Sequence, residues 1–182
     1  MFEHEKLMKN MVFAVASSVL TAGCAVQAPT FTPVVAQTIG RHPGSLQSVS
    51  VQAAPEGLQA GQIKMIWGSD EIPVLWKQAT EAAVLQSGVF TGRGERKYEV
   101  LVTILVMKPP AQALTVNTPA KARYDVIDVE TRRILFSTEV ETVGRVALGD
   151  SFSGAVRIRN SISRATQSNI LEFLRRLQAA IL

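Results

Sequence analysis

Cys24, the only cysteine in this 182-residue chain, combines a reactive side chain with neighbours that suit it to one particular modification. A lone thiol cannot close a disulfide within the chain, so a folded domain downstream must be held together by its core. Residues 11–20 form an uncharged, largely apolar run, too short to span a bilayer, which takes about 20 residues, but of the length of an export-signal core. Leu20-Thr21-Ala22-Gly23 then bring small side chains up to Cys24, as a signal peptidase needs in order to fit an extended backbone. The other chemistry-bearing residues converge on nothing. The two histidines are His4 and His42, so a nucleophilic serine further along the chain lacks a histidine base. Gly92-x-Gly94 lacks the third glycine and βαβ context of a dinucleotide site and reads as a turn. Gly149-Asp150-Ser151 reads as the start of a helix, with Asp150 or Ser151 capping it. The carboxylates do not fall at metal-ligand spacing, and no catalytic residue, metal or cofactor is expected. Trp67, Trp76 and Phe90 flank one predicted helix and are either core aromatics or the rim of a ligand groove.

The segment ending at Cys24 resembles the lipobox of bacterial lipoproteins. That resemblance implies cleavage before Cys24, diacylglyceryl attachment to its sulfur and acylation of its new amino group, and several acyl chains anchor stably where one is marginal. Ala25 follows the cysteine where inner-membrane retention would call for Asp, so the resemblance points to the periplasmic face of the outer membrane. Glu3 and Glu5 oppose the positive charge expected before the apolar run, and a start at Met8 removes them. Gly149-Asp150-Ser151 is superficially similar to the first block of the GDSL esterases, but the Asp-x-x-His that such enzymes carry later is absent, and capping is the better account.

The expected organisation is a signal peptide at residues 1–23, a flexible tether at 24–45 and a single domain at 46–182. Pro29, Pro33 and Pro43 among Thr, Gln and Gly residues give the tether its character, with His42 a solvated part of it. Fully extended, it could carry the domain on the order of 60 Å from the bilayer at about 3.3 Å per residue. A composition of 47% hydrophobic and 19% charged residues is that of a folded protein. The net charge of +4 and pI near 9.5 raise nucleic-acid binding, but acids and bases alternate through the middle of the chain and arginines are enriched only from 157 to 176, so no nucleic-acid partner is expected.

Residues 46–53 alternate as a first strand. A short extended piece at 63–67 leads to a helix spanning 71–87, capped by Ser69 or Asp70, with Pro73 in its first turn and Gly88 as its stop. Residues 98–107, apolar on both faces, read as a central strand, and 120–129 with 134–146 as an antiparallel hairpin turned by 130–133. Ile158, Ile162, Ala165, Asn169, Ile170, Phe173, Leu174, Leu177 and Ile181 mark a long amphipathic helix, with Arg157, Arg164, Arg175 and Arg176 mostly off its stripe. The predicted fold is therefore α+β, in the order β-α-β-β-β-α: a small sheet of about four strands with two helices packed on it.

This order, behind a lipobox and a Pro-rich segment, resembles the YajG-like periplasmic lipoproteins. It is also broadly similar to the compact domains of the lipopolysaccharide-assembly lipoprotein LptE, the penicillin-binding-protein activator LpoB and the auxiliary lipoproteins of ABC transporters. The resemblance implies a lipid-anchored, non-enzymatic accessory that binds a protein partner in envelope assembly or transport. The alternative is a lipid- or glycan-binding carrier that uses the first helix and the sheet as a groove.

Overall fold

The computed structural model describes residues 30–36, 40–55, 57, 71–110 and 113–182. The expected signal peptide, both possible starts, Cys24, the extended piece expected at 63–67 and the expected caps Ser69 and Asp70 lie outside them.

Four strands form one mixed sheet in chain order: β1 (Ser45–Ala53), β2 (Lys97–Met107), β3 (Val116–Asp128) and β4 (Ile134–Val146). β1 and β2 are parallel, a pairing that needs a crossover, and helix α1 (Glu71–Ser87) supplies it. β2–β3 and β3–β4 are antiparallel, and helix α2 (Gly154–Ala179) closes the chain. The α+β architecture expected from the sequence is present, with α1 at its expected bounds. Gly88, at φ 63°, ends α1 in the left-handed conformation that glycine adopts without strain.

The alternation along the strands decides which face is covered. Val49 on β1, Tyr98, Val100, Val102 and Ile104 on β2, Ala122, Tyr124 and Val126 on β3 and Val140 on β4 join Trp76 of α1 and Phe173 of α2 in one core. An irregularity between Ile104 and Val106 returns Met107 to that side. The opposite face carries cross-strand charges, with Lys121 bridging to Glu139 at 2.8 Å and Arg132 to Glu99 at 2.9 Å.

α2 buries two rows of residues at spacing four: Arg157, Ser161, Ala165, Asn169, Phe173 and Leu177, and Ile162, Thr166, Ile170 and Leu174. It runs back along β4 and touches it closely at Gly144, where a Cβ would collide with the Ser161 carbonyl oxygen.

Part of the expected tether belongs to the fold. Phe31 and Pro33 are buried, Val35 packs against the core, and the Gln167 side chain donates to the carbonyls of Thr30 (2.9 Å) and Thr32 (3.4 Å). His42, expected in solvent, is 3% exposed. Its Nε2 donates to the Leu177 carbonyl at 2.9 Å, and its backbone bonds to Val89 and Thr91. Apolar surface of the core and the Leu177 carbonyl near the end of α2 give these residues something to bind, which a solvated linker would forgo.

Candidate functional site

Beneath the sheet lies a polar relay inside the core. Trp76 Nε1–H donates to the Tyr124 hydroxyl at 3.1 Å, and that hydroxyl donates to Asn169 Oδ1 at 2.9 Å. Asn169 Nδ2 then reaches the carbonyls of Ala120 (3.3 Å) and Val140 (3.0 Å) and the Thr142 hydroxyl (3.2 Å). All three side chains are fully buried, and the Tyr124 ring stacks on Phe173 with centroids 4.2 Å apart. Burial pushes the Tyr124 phenol well above its ordinary value, against a smaller opposing effect of the Trp76 hydrogen bond, so it stays neutral. The polar atoms of these three side chains find their partners inside the protein, so the relay fixes how α1, β3 and α2 sit together. Trp76 is thus core, and Phe90, buried and stacked on Tyr98 at 4.5 Å, is likewise; the groove considered for the first helix is not formed by these two rings. Trp67 lies outside the described residues.

Gly92 and Gly94 do form a turn, with φ of 69° and 94°. The start of α2 differs from expectation. Leu148–Asp150 form a 3-10 turn, and α2 begins at Gly154 with Ser153 in the cap position. Asp150 is engaged elsewhere: its carboxylate pairs with Arg164 at 2.9 Å and accepts from the Ala147 amide at 3.4 Å.

Arg157, expected off the buried stripe, is buried and ties two loops together. Its Nη1 donates to the carbonyls of Ser151 (2.7 Å) and Phe152 (3.0 Å) in the β4–α2 connection, and its Nη2 to the carbonyl of Ala113 (3.3 Å) in the β2–β3 loop. The loops it holds carry exposed apolar side chains: Phe152 at 90%, Leu114 at 72% and Leu148 at 39%. Sequence reasoning missed this clamp; the only signal was an arginine four residues ahead of Ser161 in the buried row.

At the other end of α2, Glu172 receives Arg175 (2.7 and 2.8 Å) and Arg176 (2.7 Å). Those hydrogen bonds hold its carboxyl down to about 2. Arg176 also donates to the Glu139 carbonyl on the outer strand at 2.7 Å, and Arg164 to the Arg145 carbonyl at 2.7 Å. Both guanidinium groups thereby occupy acceptors on β4, a strand at the edge of the sheet, where an added strand would otherwise pair. Among the described residues no group of three His, Cys, Asp or Glu side chains is placed to hold a metal ion.

No protein-family model and no curated protein sequence matches the chain. Its fold is similar to that of a DUF330-family protein from Xanthomonas campestris. The two superpose with a TM-score of 0.56 at 11% identity, over 84% of this chain and 94% of that one. At such identity the likeness concerns the fold alone. Weaker similarity extends to the PelC dodecamer from Paraburkholderia phytofirmans (TM-score 0.49, 14% identity, 79% and 95% of the two chains) and to a minor lipoprotein from Acinetobacter baumannii (0.43, 9%, 73% and 93%). Among the described residues no helix is long and apolar enough to cross a membrane.

Proposed function

We propose that the protein is a lipid-anchored accessory of the bacterial cell envelope, acylated at Cys24, which acts by binding a protein partner and not by catalysis. The observation that carries this reading is Leu20-Thr21-Ala22-Gly23-Cys24 placed directly after a ten-residue apolar run of signal-core length. Ala25 after the cysteine favours the outer membrane, with the domain in the periplasm. Two further features support it. Trp76, Tyr124 and Asn169 spend their hydrogen bonds on one another and on neighbouring main-chain groups, in keeping with a structural role. The sheet face away from the helices, where Lys121 pairs with Glu139 and the half-exposed Arg123 lies over the buried Asp125, offers a patterned charged surface to a protein partner.

The test is intact mass and membrane fractionation of the native protein beside a Cys24→Ser variant. Loss of the first 23 residues with added acyl mass, and stalled processing or release in the variant, are the expected results. Crosslinking from positions on the charged sheet face, such as Arg123 and Glu141, should then capture an envelope protein. An unmodified full-length chain in the cytosol would overturn the proposal.

A further inference from the structure

The two edges of the sheet are finished differently. On β4 the carbonyls of Arg145 and Glu139 are taken by the Arg164 and Arg176 guanidinium groups. β1 is left open. Its parallel register sets Ala53 beside Ile104, and the Ala54 amide donates to the Ile104 carbonyl at 2.9 Å. In a parallel ladder a residue so placed turns its own amide and carbonyl away from the neighbouring strand, as do the residues two and four places before it. Val49, Val51 and Ala53 therefore each direct an amide and a carbonyl out of the sheet. Among the described residues no hydrogen bond reaches these groups.

An open edge of this kind invites another strand, and proteins keep it single with a lysine, an inward charge, a proline or a bulge. Between Val49 and Ala53 β1 has none of these. Its irregularity lies between Leu46 and Ser48, before this stretch, and Pro55 comes after it. Ser45–Ala53 carries no charged residue at all. A charged strand laid against it meets no opposite charge, whereas a second copy of β1 repeats the same neutral row. The spacing of the open groups also suits a two-fold axis through Val51. With the two Val51 residues opposite one another, Val49 faces Ala53 on either side, a larger side chain against a small one. Each of these pairs exchanges both of its amide–carbonyl bonds, about six bonds in all. Val51 is only partly buried at the rim of the core and Ala53 is exposed, so both gain cover. On the other face of the strand the neutral Ser50 comes opposite the neutral Gln52.

We infer that β1 pairs with itself: two copies of the chain join antiparallel through Val49, Val51 and Ala53, merging two four-stranded sheets into one. The pairing requires neither the acylation of Cys24 nor an envelope partner. A ladder this short buries less than the roughly 1,600 Å² of a standard interface, so the dimer is reversible and builds up with concentration.

The full chain, purified in mild detergent, is tested by sedimentation beside two variants. Ala53→Pro removes an outward donor and sets a ring on the open edge, while every bond from β1 to β2 remains. Val143→Lys adds a charge at a 58% exposed position on the opposite edge strand. A concentration-dependent dimer is expected for the native chain and Val143→Lys, and a single chain with unchanged circular dichroism for Ala53→Pro. Amide exchange read by NMR locates the contact: in the native chain the Val49, Val51 and Ala53 amides should slow at least about tenfold between dilute and concentrated samples. A native chain that stays single up to about 1 mM overturns the inference. So does a dimer that survives Ala53→Pro, or one that Val143→Lys abolishes. Should Ala53→Pro unfold, the exchange decides: protection of those amides on dimerisation sustains the pairing, and free exchange in the dimer puts the interface elsewhere and overturns it.

Discussion

Toward its C-terminal end α2 is packed against the sheet and the incoming chain, whereas at its N-terminal end the same helix holds two loops out into solvent. Around Phe173 and Leu177 the helix meets the Tyr124 ring, the His42 imidazole and its own Glu172 with Arg175 and Arg176, and the chain entering the domain lies along it. Around Arg157 the buried guanidinium bonds main-chain carbonyls and leaves the side chains of Phe152 and Leu114 free. Buried polar groups serve closure in the first region and presentation in the second. Side chains that contribute to stability are thereby separated from side chains available to the surroundings, and substitution should separate the two regions experimentally.

The largest loss should come from wedging α2 away from the sheet. Gly144→Ala would set a methyl against the Ser161 backbone, which no rotamer can relieve, and should destabilise the domain by about 3 kcal/mol in urea unfolding. Tyr124→Phe comes next. It keeps the stack on Phe173 but strips the hydroxyl, leaving the Trp76 N–H and Asn169 Oδ1 buried without their partner, for a loss of about 2 kcal/mol. Tyr124→Phe with Asn169→Leu should cost less than the sum of the two single changes, since each already breaks the same relay. Additive losses would mean that the three side chains do not act as a unit.

The elements of the closed region were legible because they rest on local patterns. The apolar run of β2, the alternation of β3 and the four-residue rows of α2 follow directly from the order of apolar residues, and Glu71, Pro73 and Gly88 punctuate α1. The long-range partners were not legible. Tyr124 stands 48 residues from Trp76 and 45 from Asn169, and neither separation leaves a mark in the order of residues. The docking of the expected tether was hidden for a different reason. Phe31 stands alone between two threonines and Val35 in a short run behind Pro33, too few residues to show a period, and a histidine beside Arg41 and Pro43 looks solvated until the Leu177 carbonyl is known to face it. Arg157 reads as a surface charge because its ligands are main-chain carbonyls, which the identities of neighbouring residues do not reveal.

Arg157→Ala sharpens the contrast at the open end. It removes charged hydrogen bonds to three carbonyls and should cost about 1–2 kcal/mol. The accompanying rise in amide exchange should be confined to the β4–α2 connection and the β2–β3 loop, while β3 and the second half of α2 stay protected. Spread of the exchange through Tyr124 and Asn169 would show that the clamp is part of the core.

A smaller effect separates the ends by pH. With its carboxyl held to about 2 in the folded protein and at about 4.3 when unfolded, Glu172 stabilises the fold above the higher value, and that contribution fades as pH falls toward the lower one. Glu172→Gln should therefore reduce stability at neutral pH and flatten its decline between about pH 5 and 2. Partial exposure of the pair keeps the effect below that of Tyr124→Phe and sensitive to salt.

Phe152→Ser should change stability least. A side chain already 90% exposed gives up almost no buried area, so stability should remain within about 0.5 kcal/mol of the native protein. A large fall in stability would assign Phe152 to the fold, and the two ends of α2 would then differ in degree and not in kind.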